Sequence, residues 1–336
     1  MPGDTKPTRS LWQRWGWLVR WGGTVLGIAY VARLIHLRKL EDAFAAVSLT
    51  AILGSIAIVA ASVVLAAVRW RVTLRAYGAQ TRPSLRTASR LYFIAVFYNT
   101  FLPGAVAGDV VRGVVTRRSF GDHGTTRALA VVFVERVLGL LSLFGLVLLG
   151  AALAGPVLGG SLPWWSALGG ACSLAALVAL PLGRRIARFL PGPLAQIAGR
   201  LPSVVRPLDF GLAALLSLAG QLLAVVAGWL LLRALHPAMT FGIALLIMPA
   251  ASATAFLPIT IGGTGAREAV FVVLCGALLG MPSDGAVAAS LLIWLATLVI
   301  GAIGGLLALR GTAAGGPMLE PATPAGPAIT CDPVAD

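Results

Sequence analysis

The feature that most constrains this chain is the recurrence of apolar runs about twenty residues long. The clearest is 43–68, AFAAVSLTAILGSIAIVAASVVLAAV, and comparable runs occupy 17–35, 128–154, 163–182, 211–233 and 285–309. A run of roughly 20 apolar residues matches a hydrocarbon core about 30 Å thick. Water cannot reach the backbone there, so a span must be a helix or part of a closed barrel. The alternating pattern of barrel strands is absent. Mean hydropathy is +0.90 and only 11% of residues are charged, where a soluble domain carries roughly a quarter. The expected fold class is all-α integral membrane, a polytopic helical bundle.

The formal net charge is +14. On a soluble protein that surplus would suggest nucleic acid. In a membrane protein, arginine collects in cytoplasmic loops instead, so no nucleic-acid partner is expected. Arg69, Arg71, Arg75, Arg82, Arg86 and Arg90 follow the run 43–68, and a second basic stretch lies at 183–206. Reading both as cytoplasmic loops puts both termini inside. Residues 1–16 form a basic, Trp-rich segment, and 17–310 the membrane domain, with halves about 17–182 and 207–310. Residues 311–336, rich in Ala, Pro and Gly, are expected to be a disordered tail. The three cysteines and three histidines are scattered. No metal spacing emerges, so neither metal nor cofactor is expected, and no catalytic residue is assigned.

Two interruptions share a template. The first reads Phe101-Leu102-Pro103-Gly104-Ala105-Val106-Ala107-Gly108-Asp109-Val110-Val111-Arg112; the second has Phe256-Leu257-Pro258, Gly263 and Arg267. Both fit F-L-P-x4-G-x3-R. Pro and Gly break helices, so Pro103, Gly104, Gly108, Pro258, Gly262, Gly263 and Gly265 are expected to shape broken hairpins. Broken, charge-bearing segments in corresponding halves point to a binding site at a repeat interface. Residues 84–118 and 240–281 then read as re-entrant hairpins entering from opposite faces, an inverted repeat. If 240–257 and 268–281 each cross fully, there are eight spans and the termini stay where they were.

Arginine inside a bilayer is costly and usually faces a cavity or a partner. Its planar fork of donors matches phosphate or carboxylate. Arg112 and Arg267 are therefore the main candidates for binding a headgroup, with Arg136 a third. Asp109 and Glu268 would orient the arginines, or carry protons if transport is proton-coupled, and Asn99 would bond a headgroup or cap freed backbone. The competing reading is simple neutralisation: Asp109 with Arg112, Glu268 with Arg267, Glu135 with Arg136.

At these residues a resemblance becomes specific. NTFLPGAVAGDVVR (99–112), VERVLGLL (134–141) and FLPITIGGTGAREAVF (256–271) resemble the flippase-like domain family, also called the lysylphosphatidylglycerol synthase transmembrane region. The resemblance covers about 20–310 and implies movement of lipids between leaflets of a bacterial cytoplasmic membrane. The aminoacyl-transferase domain of the synthases is not expected in this chain, so synthesis is not implied. Relatives often carry arginine in the last span where this chain has Trp294. The expected partners are membrane lipids, an anionic phospholipid or a lipid-linked headgroup. The alternatives are a membrane-embedded enzyme acting on lipid phosphates, or a scaffold for a separate lipid-modifying enzyme.

Overall fold

The computed structural model describes residues 37–101, 107–121, 124–154, 203–256 and 263–313, with isolated positions elsewhere. The expected spans 17–35 and 163–182, most of the loop 183–206, the tail, and Pro103, Gly104, Pro258 and Gly262 lie outside those residues. The described residues are helical: α1 (Leu37–Ala45), α2 (Leu49–Ala76), α3 (Leu85–Phe101), α4 (Ala107–Val115), α5 (Gly124–Ala154), α6 (Pro207–Leu235), α7 (Phe241–Ala253), α8 (Ala266–Leu279) and α9 (Ser283–Ala313). Among the described residues, α2, α5, α6 and α9 are long and apolar enough to cross a membrane.

The run 43–68 is not one helix. The chain breaks after Ala45, and Ser48 restarts it, its Oγ accepting from the Ala51 N–H at 3.3 Å. A serine there satisfies one of the orphan donors of a first turn. At the other end α2 runs past Val68 to Ala76. Trp70 and Leu74, fully buried, pack with Phe210 and Ala213 of α6. That packing carries the helix through arginines that the sequence reading placed in a loop.

The shorter helices come in two pairs. α3 and α4 are followed by a 3-10 turn, Arg117–Phe120. The Gln80 N–H donates to the Ser119 carbonyl at 2.8 Å, so this segment leaves and returns at one end of the bundle. The second pair is α7, continued by the 3-10 turn Thr254–Phe256, and α8. Its two bases meet in one buried cluster holding Met239, Ile243 and Met281.

Helix α5 joins both pairs. At its start a Cβ on Gly124 would lie 1.8 Å from the Arg117 carbonyl oxygen, and near its end one on Gly150 would lie 2.8 Å from Leu245. A Cβ on Gly242 of α7 would lie 3.2 Å from the Ala154 nitrogen. The two bases therefore sit at opposite ends of a helix of 31 residues, about 46 Å long at 1.5 Å per residue. Helix α3 is held against α9 through Gly304, whose added Cβ would meet the Phe93 carbonyl oxygen at 1.9 Å. Arg90 completes the contact, donating to the Leu307 carbonyl at 3.1 Å.

Candidate functional site

Helix α4 places Asp109 and Arg112 one turn apart, and both are buried. Its close seat on α3 requires Gly108, where an added Cβ would fall 2.2 Å from the Ala95 carbonyl oxygen. Asn99, at the end of α3, accepts from the Gly108 N–H at 2.9 Å. The Asn99 side chain thus satisfies a backbone donor at the start of α4.

Arg112 donates to Asp109 Oδ1 at 2.5 Å and to Glu135 Oε2 at 2.9 Å. Its Nε is buried without a hydrogen-bond partner, and its guanidinium carbon lies 4.0 Å from the Tyr92 ring centre and 5.2 Å from that of Trp70. The aromatic faces stabilise the cation where water is excluded. Glu135 also accepts from the Tyr92 hydroxyl at 3.1 Å and from Arg69 Nε at 3.2 Å. Arg69 Nη1 reaches Ser217 Oγ of α6 at 3.0 Å. Arg136 closes the network: its Nε donates to Asp109 Oδ2 at 2.5 Å, and its Nη2 bonds the same carboxylate.

The expected pairing of Glu135 with Arg136 is therefore not the one formed. Successive residues on a helix point about 100° apart, so they reach different partners. Glu135 turns to Arg112 and Arg69, and Arg136 turns to Asp109. The five charged groups joined by these bonds are Arg69, Arg112, Arg136, Asp109 and Glu135, three positive against two negative.

Arg267 and Glu268 pair with each other. Arg267 Nη2 donates to Glu268 Oε1 at 2.5 Å, and its Nε reaches Ser290 Oγ of α9 at 3.0 Å. Glu268 Oε2 accepts from the Gly265 N–H at 2.7 Å, the reach-back that closes a helix N-terminus. Gly263 and Gly265 hold φ of +81° and +83°, a left-handed backbone that favours glycine. Arg112 and Arg267 thus occupy separate ion pairs. Among the described residues, Arg136, bonded to Asp109 of the first motif, reaches the second, its guanidinium carbon 5.7 Å from the Phe256 ring centre.

Sequence reasoning missed Arg69, Trp70, Tyr92, Ser217 and Ser290. Arg69 carried a usable signal. Val63, Ala67, Trp70, Leu74 and Tyr77, all buried, keep a spacing of three or four through the arginines, as a continuing helix does. Trp294, where relatives often carry arginine, is 38% exposed on α9. Among the described residues no group of three or more His, Cys, Asp and Glu could hold a metal.

A helical bundle with apolar spans around a cluster of buried, hydrogen-bonded charges defines a multi-pass membrane protein with a polar centre. The lysylphosphatidylglycerol synthase TM region family matches residues 17–305, and the chain belongs to that family. No curated protein matches the chain.

Proposed function

We propose that the protein moves a phosphate-bearing lipid, or a lipid-linked precursor, between leaflets. The observation that carries this reading is the position of Arg136. A third of its side chain is exposed, it is held by Asp109 of the first motif, and it lies on Phe256 of the second. A headgroup passing between the motifs would meet this cation first. The charge surplus of the cluster suits a phosphodiester, and a partly desolvated arginine binds phosphate through two parallel bonds. Arg112 serves behind it as the fixed charge that orients Asp109. Arg267 takes the corresponding place in the second half.

The same reading takes 85–115 and 241–279 as hairpins that dip into the membrane and return, related by inversion. Their bases at opposite ends of α5 support it. Such broken segments are tolerated at membrane depth where they line a polar cavity. The lipid tails would remain in the bilayer while the headgroup crosses.

The test is reconstitution into liposomes with trace fluorescent lipids, one anionic, one zwitterionic and one with a cationic headgroup. A membrane-impermeant quencher reports exchange between leaflets. Acceleration by the parent, lost in Arg136→Gln and Arg267→Gln variants that still melt like the parent, supports translocation. Acceleration that survives both substitutions moves the headgroup path away from the repeated motifs. Chemical conversion of a lipid without exchange identifies an enzyme instead.

A further inference from the structure

A second positive cluster lies outside the central network, at the end of the bundle where α2 finishes and α6 begins. Arg71 and Arg75 are one helical turn apart on α2, and both are half-buried. Arg82 lies in the connection from 77 to 84, within electrostatic reach of Arg71, Arg75 and Arg206. Arg206 occupies the N-cap position of α6 without a side-chain cap bond. The backbone N–H groups of Val205 and Arg206 both donate to the Ala76 carbonyl, at 2.8 and 3.1 Å, which fastens Arg206 to the end of α2. Among the described residues, one acid is paired with these cations: Asp209, in the first turn of α6, bonds Arg75.

The cluster is built rather than incidental. Nε of Arg71 and Nε of Arg75 are buried and have no hydrogen-bond partner, although a buried donor without one is costly. Burial, and then the like charges of Arg75, Arg71 and Arg206, push the Arg82 guanidinium below its usual range, with Asp209 opposing. Four guanidinium groups held together against one carboxylate repel one another unless an anion joins them. The N-terminus of α6, which has no side-chain cap bond, adds the positive end of a helix dipole.

We infer that Arg71, Arg75, Arg82 and Arg206 form a binding site for the phosphate of an anionic lipid, separate from the central cluster. The location selects a lipid over a free ion. Helix α2 is apolar through its middle and long enough to span, and Arg71 and Arg75 follow directly on that apolar stretch. The surplus of positive charge favours a phosphomonoester headgroup over a zwitterionic one. Juxtamembrane arginines attract such lipids individually; here four of them converge.

The experiment measures phosphatidic acid retained by the purified protein in phosphatidylcholine nanodiscs, by native mass spectrometry. It is run in an Arg136→Gln background, so that binding at the central cluster does not contribute. Arg82→Gln and Arg206→Gln should each weaken retention about fivefold, Arg82→Lys should restore most of it, and Asp209→Asn should strengthen it. Retention unchanged in both glutamine variants overturns the site. Displacement of the lipid by inorganic phosphate at matching concentration overturns the lipid assignment and leaves a free-phosphate site. A phosphatidylcholine signal as strong as that of phosphatidic acid overturns the charge argument.

Discussion

Arg136 binds Asp109 through two of its nitrogens and rests on the ring of Phe256, with 5.7 Å between guanidinium carbon and ring centre. One side chain therefore touches both copies of a motif that recurs 155 residues apart in the chain, from Phe101 to Phe256. Its neighbour Arg112 has the same charge and shares Asp109, but is only 3% exposed. Substitution should separate the two. Arg112→Ala removes one buried partner from each of two carboxylates, leaving Asp109 with Arg136 and Glu135 with Arg69 and Tyr92, and should cost about 1.5–3 kcal/mol, read as a fall in the unfolding midpoint in detergent. Arg136→Ala leaves Asp109 with Arg112, and Arg136 is a third exposed, so the midpoint should fall less. Leaflet exchange should still fall about tenfold or more, the size of one charge-assisted hydrogen bond.

Glu135 accepts from three side chains, Tyr92, Arg69 and Arg112. Glu135→Ala removes every acceptor at once and should destabilise by about 3–5 kcal/mol. Glu135→Gln keeps one carbonyl acceptor and should recover part of that loss. Equal midpoints for the two variants would mean that the carboxylate oxygens are not what holds α2, α3 and α4 to α5.

The approach of α3 to α9 depends on Gly304. An alanine Cβ would fall 1.9 Å from the Phe93 carbonyl oxygen, so the backbones must separate. Gly304→Ala should destabilise by about 1–3 kcal/mol. Gly54→Ala on α2, where nothing lies within 4 Å of the added carbon, should leave the midpoint unchanged or raise it slightly. Unfolding curves of the two variants side by side give the comparison.

Accessibility of introduced cysteines tests the inversion. In a background lacking the native cysteines, Ser84→Cys and Arg118→Cys flank the first pair of short helices, and Thr240→Cys starts the second. The first two should react with an impermeant maleimide from one face and Thr240→Cys from the other. Labelling of Ser84→Cys and Arg118→Cys from opposite faces would make the first pair a full crossing.

Much of this arrangement is legible in the sequence because its signals are local. The two F-L-P templates mark the breaks, and Asp109 with Arg112 is a pairing within one helical turn. The long spans follow from apolar runs. The partners of Glu135 are another matter. Arg69 lies 66 residues away from it and 148 from Ser217, and no periodicity encodes which helices meet. Arg69 was also masked by composition: it opens a run of arginines that mimics a basic loop, while the buried spacing of Trp70, Leu74 and Tyr77 continues the helix beneath it. The break at Ala45–Ser48 was hidden differently, since a single serine cap sits inside a run that stays apolar on both sides.

The central cluster holds three guanidinium groups against two carboxylates, and arginine does not give up its proton in a protein. Its surplus is therefore permanent. A centre of this kind behaves like a fixed ion exchanger. Under the proposed function it would select headgroups by the sign of their charge, and any gating would have to come from movement of the helices around it.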